Sequence, residues 1–332
     1  MKILVTGGTG YIGSTVCCAL IDNGHIPIIL DQNDRIDFTY DKYFYKGDIA
    51  DFALLERICT EHPDIDFTIH LAALTVVPDS VKNPSTYYSE NLSKSICLFS
   101  YLNKLGLKKI VYSSSASIYD DPKELIVTEE SVLNPRSPYA RTKFMTEMIL
   151  QDLCHAYEMR GIALRYFNPI GADPKMRTGS SIEFPSHLLG CLLKAVSEES
   201  QCFHITGTNW PTKDGTGIRD YIHVWDLALA HVNAVENFEN AFELSEAPHN
   251  PYLVLNVGKG EGVTVREFVS MFEKVYGKIL TKIEVKPRLG DVAGSYANVD
   301  KINKLINWCA TLSIEDGIRD AMKWNELLNK ID

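Results

Sequence analysis

The sequence predicts an α/β protein in which a doubly wound parallel sheet carries a smaller, mixed α/β lobe. Three observations lead to that class. Short β-branched runs alternate with helical patterns through the first half of the chain. Those runs are almost continuously apolar, as expected of strands covered on both faces. After Phe167 the alternation loosens, and Gly, Pro, Ser and Thr accumulate over 168–219.

The strands are expected at Lys2–Thr6, Ile26–Asp31, Phe67–Leu71, Lys109–Ser114 and Ile162–Phe167, with a weaker one near Tyr43–Lys46. Helical periodicity fills Tyr11–Asn23, Pro84–Leu105 and Pro138–Arg160. Strand–helix–strand repetition of this kind builds a parallel sheet. Further on, helices are expected near Ser186–Val196, Trp225–Asn237 and Ile314–Leu328, and strands at Tyr252–Val257 and Lys282–Val285. Residues 1–167, with parts of 220–258, are expected to form the sheet domain. Residues 168–219 and 259–332 are expected to form the second lobe.

A chain of 332 residues can bury a core without disulfides or a structural metal. Its formal net charge of -10 argues against broad nucleic-acid or anionic-membrane binding, which call for a basic surface. The eight cysteines form no CxxC pair and no Cys/His cluster of zinc spacing, so no metal is expected. Free cysteines in apolar runs suit a reducing compartment, hence the cytoplasm. The first strand begins at Lys2, so no signal peptide is expected, and no apolar run reaches the roughly 18 residues of a membrane span.

Gly7, Gly10 and Gly13 have the spacing GxxGxxG between the first strand and the first helix. Glycine there permits a tight turn, close backbone approach to a pyrophosphate and close helix–strand packing. The helix N-terminus offers free N–H groups and a positive dipole end to phosphate. Asp31 ends the second strand, where a carboxylate can accept hydrogen bonds from an adenosine ribose and repel a 2′-phosphate. NAD is therefore favoured over NADP, although Arg35 lies close by in sequence. Asp48 and Ile49 suit a pair bordering adenine, or an ordinary loop acid and its neighbour.

Tyr139 and Lys143 stand four apart after Ser137-Pro138, and Pro138 suits the first helical position. Residues i and i+4 share one helix face. A nearby ammonium and a positive nicotinamide ring both lower a phenol pKa, so Tyr139 could act as a base. Ser115, at the end of the preceding strand, can hydrogen-bond a substrate oxygen beside it. Asp220, His223 and Asp226 form no recognised triad; Asp226 suits a helix N-cap and His223 a structural role.

At these residues the chain resembles the extended short-chain dehydrogenase/reductase family, built on a Rossmann sheet, and most closely its UDP-hexose 4-epimerases. The stretches concerned are TGGTGYIG at 6–13, SSSASIY at 113–119, SPYARTK at 137–143, LRYFNPIGA at 164–172, PTKDGTGIRDYIHVWDLA at 211–228 and RLGDVAGSYAN at 288–298. The resemblance implies that Tyr139 takes the proton of a sugar 4-hydroxyl while NAD takes and returns the C4 hydride. The 4-keto sugar rotates between the two transfers. It also implies that Lys143 tunes Tyr139 and holds the nicotinamide ribose, and that Ser115 orients the 4-oxygen. NAD contacts are implied for Tyr11, Ile12, Gln32, Leu71, Ala72, Ala73, Asn91, Ser113 and Tyr166. UDP-sugar contacts are implied for Asn168, His187, Leu188, His204, Thr206, Arg219, Arg288, Asp291 and Ser295, the last in the wall of the sugar pocket.

Sister dehydratases carry an Asp-Glu pair where this chain has Ala116 and Ser117, so elimination of water is disfavoured. Thr75 replaces a lysine usual in the family, and His187 replaces an asparagine. The resemblance further implies a C2 homodimer built on Pro84–Leu105 and Pro138–Arg160, whose Leu98, Phe99, Leu150 and Leu153 exceed one buried stripe. Epimerases of uronic acids or pentoses, and a non-catalytic nucleotide sensor, are the alternatives.

Overall fold

A computed structural model describes residues 1–34, 43–120, 124–181, 187–197, 202–287 and 292–331. Seven strands, all parallel, form the central sheet: β1 Lys2–Thr6, β2 Ile26–Asp31, β3 Phe44–Lys46, β4 Ile65–His70, β5 Lys109–Ser113, β6 Arg160–Tyr166 and β7 Tyr252–Val257. Their order is β7-β6-β5-β4-β1-β2-β3. In register, Val5 of β1 faces Ile29 of β2 on one side and Ile69 of β4 on the other.

Alternation along each strand feeds two layers. Ile3 and Val5 join one core with the helices Tyr11–Asp22 and Val224–Glu236. Leu4 and Leu30 join the other, with Phe52–Glu61, Lys94–Lys104 and Pro138–Tyr157. Strand order reverses between β1 and β4, so a crevice opens beyond their carboxyl ends, where such sheets bind ligands. Ile170, Leu189, Leu192, Phe203, Phe268, Phe272 and Ile318 form a separate core in the second lobe. Ile302, Leu305, Ile306 and Trp308, expected in that lobe, pack into the sheet's core instead.

The expected strands are present within about two residues, but the helices differ more. Pro84–Leu105 is not one α-helix: a π-helical stretch, Tyr88–Ser93, interrupts it and holds Asn91 inward. Pro138–Tyr157 stops at Glu158, whose left-handed backbone turns the chain into β6. Phe52–Glu61, capped by Asp51, and Val265–Tyr276, closed by a Thr264–Glu267 capping box, lie outside the expected elements. Asp226 is not the N-cap of Val224–Glu236. His223 caps it through Trp225 N at 3.0 Å, and Asp226 instead accepts from Thr311 N at 3.0 Å and Leu312 N at 2.8 Å. Leu98, Phe99 and Leu150 lie wholly inside the core, with Leu153 packed against it, so these four present no outer face. Among the described residues, no helix is long and apolar enough to cross a membrane.

Candidate active site

Gly7 leaves β1 with φ +73°, and a Cβ there would lie 2.6 Å from Ala72 N. A Cβ on Gly13 would lie 2.0 Å from Gly7 O. These two positions exclude any side chain on packing grounds alone. Gly10 differs, because a Cβ there would meet only Gly7 O, at 3.5 Å. The space beside it faces outward, and the helix it opens has no side-chain cap and no acid in its first turn. The Thr9 hydroxyl is buried there without a partner. Unused N–H groups, a positive helix end and an orphaned hydroxyl together fit an anionic diphosphate.

Asp31 holds this loop from below. Its Oδ2 accepts from Thr9 N at 3.0 Å and its Oδ1 from Asn33 N at 3.0 Å. Each oxygen keeps a lone pair for a ribose hydroxyl. Gln32 Nε2 and Lys94 Nζ both donate to Asp48 Oδ2, at 2.6 and 2.5 Å. Ile49 is buried in the core, and Ile12 packs against the other core layer. Arg35 lies outside the described residues. Tyr11 OH donates to Gly171 O at 2.8 Å, tying the glycine loop to the second lobe.

After β4 the chain passes under the same loop. Leu71 N donates to Thr6 O at 3.1 Å and Ala72 N to Thr6 Oγ1 at 3.5 Å, with Ala73 half-buried beyond. Asn91 spends its amide on this turn. Its Oδ1 accepts from Leu74 N at 2.7 Å, and its Nδ2 donates to Leu74 O at 2.9 Å and Thr142 Oγ1 at 3.2 Å. The π-helical stretch thus pins the 71–74 turn to the helix that carries Tyr139.

Ser137 caps that helix through Ala140 N, and Pro138 occupies its first turn. Tyr139 and Lys143 are both buried. Burial raises the Tyr139 pKa, and a hydrogen bond from Ser115 works against that rise. Lys143 Nζ donates to Ser113 O at 2.8 Å and sits 5.1 Å from the centre of the Tyr112 ring. Burial pushes its pKa down to about 7, against the opposing pull of the Glu147 carboxylate. Ser115 also accepts from Ser117 N at 3.2 Å, which orients its hydroxyl. Tyr166 is buried close enough to Tyr139 to feel its charge.

Two buried histidines flank this group, and burial holds both uncharged, His70 at about 3 and His231 at about 4. His231 Nδ1 lies 2.9 Å from Leu227 O, which can only accept, so Nδ1 carries the proton. Its Nε2 then accepts from Ser113 Oγ at 2.7 Å. Ser113 therefore holds His231 through its side chain and Lys143 through its carbonyl. Glu147, His70 and His231 were not among the expected site residues. Only Glu147 left a sequence signal, since it stands one helical turn beyond Lys143.

From the second lobe, Asn168 begins a short strand paired with Tyr221–His223, its side chain exposed and its N–H on Asp220 O at 3.0 Å. Asp220 is itself structural. Its carboxylate accepts from Lys259 N, Gly260 N and Ala297 N at 2.7–3.1 Å, and burial raises its pKa to about 6. Arg219 donates to Ile218 O at 2.7 Å, Ala293 O at 3.0 Å and Val292 O at 3.3 Å. It passes so close under Gly294 that a Cβ there would lie 1.9 Å from Nη1. Ser295 follows, half-buried.

His187 caps the helix Leu188–Ser197 through Gly190 N at 3.1 Å. It shares a cavity of about 340 Å³ with Tyr11, Gly171, Lys194 and Trp324, which brings the glycine loop and the second lobe together. Leu188 is half-buried against the second-lobe core. His204 and Thr206 lie on the strand Cys202–Thr206, paired with Thr281–Val285, the first exposed and the second half-buried. Arg288 and Asp291 lie outside the described residues.

Comparison with known proteins matches this geometry to one family. The profile of the NAD dependent epimerase/dehydratase family covers residues 3–254. The UDP-glucose 4-epimerase of Bacillus subtilis is 37% identical, over 98% of this chain and 96% of its own. A UDP-glucose-4-epimerase from Stenotrophomonas maltophila, crystallised with NAD and formylated UDP-arabinopyranose, superposes with a TM-score of 0.92. It is 33% identical, with all of both chains covered. The UDP-Glc/GlcNAc 4-epimerase of Campylobacter jejuni superposes with a TM-score of 0.82. It is 30% identical over 98% of this chain and 99% of its own.

Proposed function

The chain belongs to the NAD dependent epimerase/dehydratase family, and on that premise we propose that it interconverts UDP-hexoses at C4. The observation that carries this reading is the buried Tyr139–Lys143 pair with Ser115 beside Tyr139, close to an uncapped glycine loop. NAD, when bound, supplies the acceptor for the C4 hydride and returns it. The loop backbone and Thr9 would hold its diphosphate, and Asp31 an adenosine ribose.

The protein's own residues manage the proton. Tyr139 accepts it from the sugar 4-hydroxyl, and Ser115 fixes the oxygen from which it comes. Lys143, held against Ser113 O, favours the phenolate by its charge. No carboxylate stands at Ala116 or Ser117 to expel a water, which supports epimerisation over elimination. Three N–H contacts of Arg219 go to main-chain carbonyls, and its remaining N–H groups, without partners among the described residues, can take a diphosphate oxygen. Asn168, His187, Leu188, His204, Thr206, Arg288 and Asp291 complete the proposed UDP-sugar site. An assay that couples UDP-galactose conversion to UDP-glucose oxidation tests the reading, and a non-catalytic sensor would give no signal.

Ser295 sets the sugar range in this reading. Tyr296, the next residue, lines a cavity of about 540 Å³. In this reading the half-buried Ser295 stands in the wall of the sugar pocket. A small residue there leaves room for an acetamide, as steric exclusion needs only one clash. The wild type should therefore epimerise UDP-N-acetylglucosamine as well as UDP-glucose. Ser295→Tyr should lose the N-acetyl activity by about tenfold or more while keeping the hexose activity. A variant that handles both sugars unchanged removes Ser295 as the gate.

A homodimer fits the same two helical segments, but through other side chains than Leu98, Phe99, Leu150 and Leu153. Ile96, Met145 and Met148 are exposed there, and Met148 is 49% accessible. Light scattering at micromolar concentration should give twice the chain mass, and Met148→Glu should shift it toward the monomer. A monomeric wild type counts against the pairing.

A further inference from the structure

Glu147 lies one helical turn beyond Lys143 and two beyond Tyr139, so the three share one face of the helix Pro138–Tyr157. Its side chain is 4% exposed, and that of its partner Arg165 is 5% exposed. A buried charge pair is costly to desolvate and is weak evidence for stability by itself. This one joins the strand end before Ser115, the helix of Tyr139 and the strand that leads to Tyr166. Glu147 hydrogen-bonds Ser114, the residue before Ser115. Arg165 reaches it through Nε at 3.0 Å and Nη2 at 2.7 Å, from the position before Tyr166 on β6. Arg165 Nη1 continues to Tyr119 OH at 3.1 Å, and Tyr119 OH to Asn256 Oδ1 at 2.6 Å on β7. Strand end, catalytic helix and neighbouring strand are thus joined at one carboxylate.

We propose that Glu147 is a positioning residue of the reaction: it fixes the Ser115 strand end against the Tyr139 helix and sets a carboxylate on the buried helix face that carries the Lys143 ammonium. This deepens the epimerase reading and rests on it. The groups facing Lys143 leave Glu147 as the source of negative charge there. From its own helix come Tyr139 and Glu147, from β5 the Tyr112 ring and the Ser113 carbonyl, and from β4 His70, which is neutral. Tyr87 and Tyr166 are buried within reach of the Tyr139 charge. Around the carboxylate stand Arg165, Tyr112, Tyr119 and Tyr252, and burial or charge holds all three tyrosines protonated. Burial lowers the Lys143 pKa to about 7, and the Glu147 carboxylate opposes that fall.

The test is the Lys143 ammonium titration in the NAD-loaded protein, followed by nitrogen-resolved NMR and assigned by its absence in Lys143→Ala. In Glu147→Gln the midpoint should fall by about one pH unit, the size expected for one charge removed within about 10 Å at an effective dielectric of about 20. The alkaline limb of the pH–rate profile should move acidward with it. Glu147→Asp, which keeps the charge, should restore both. Should Glu147→Gln fail to fold, Glu147→Gln/Arg165→Gln leaves no orphaned charge and should show a smaller shift in the same direction, since Arg165 offsets part of the Glu147 field. An unmoved midpoint in the folded variant overturns the proposal, whatever its activity. An inactive wild type overturns the epimerase reading instead, and the NMR titration still decides the role of Glu147.

Discussion

Tyr139→Phe is expected to lower turnover about a thousandfold while leaving the fold and bound NAD in place. The substitution removes one oxygen and keeps the buried ring. Among the described residues around Tyr139, no other side chain is placed to take over the proton. Lys143 Nζ is turned to Ser113 O, while His70 and His231 are spent on buried hydroxyls. Loss of a positioned acid–base group costs about 10²–10⁴ in rate, and this group is the sole acceptor. The measurement is the rate of UDP-galactose conversion, with NAD content determined on the same sample. A rate near that of the wild type removes Tyr139 as the base. Lys143→Ala should displace the activity profile toward higher pH, because the phenol loses the charge that favours its ionised form.

Gly13→Ala is expected to be the most damaging single methyl group in the glycine loop. Its Cβ would lie 2.0 Å from Gly7 O and 2.9 Å from Gly7 C, both main-chain atoms that no rotamer change can move. The first helix would have to lift off β1. Overpacking against backbone costs about 1–3 kcal/mol or more, and the uncapped N–H groups would leave their place as well. A depressed melting temperature and loss of co-purifying NAD should follow together. Gly10→Ala provides the contrast, since its Cβ meets only Gly7 O at 3.5 Å. It should melt like the wild type and yet lose NAD affinity, because the methyl group occupies space left for the diphosphate. Equal melting and equal NAD content in Gly13→Ala would contradict the packing account.

The contrast marks what can be read from the sequence. The sheet strands were legible because each is a short apolar run bounded by turn residues, and buried parallel strands leave that signature. The spacing of Gly7, Gly10 and Gly13 was legible, but not that main-chain atoms bar a Cβ at the first and last and leave room for one at Gly10. That distinction depends on Gly7 O and Ala72 N, which come together only in the fold. Val265–Tyr276 carries a visible Thr264–Glu267 capping box, a local signal that places its start. The π-helical stretch at Tyr88–Ser93 has no such signal, since it exists to satisfy Asn91 against Leu74 and Thr142. Leu98, Phe99 and Leu150 look like an outer stripe in sequence because two faces of a helix in this layer are covered. Glu147 and Arg165 read as ordinary surface charges until the fold buries them together.

The central claim is hydride removal from C4 and its return to the opposite face, with Tyr139 carrying only the proton. The direct measurement uses UDP-galactose labelled with deuterium at C4 and follows its conversion in ordinary water. The account predicts UDP-glucose that keeps the deuterium at C4, because the hydrogen travels to the bound cofactor and back without meeting solvent. UDP-glucose with the label lost to water, or substrate recovered unchanged, would contradict it.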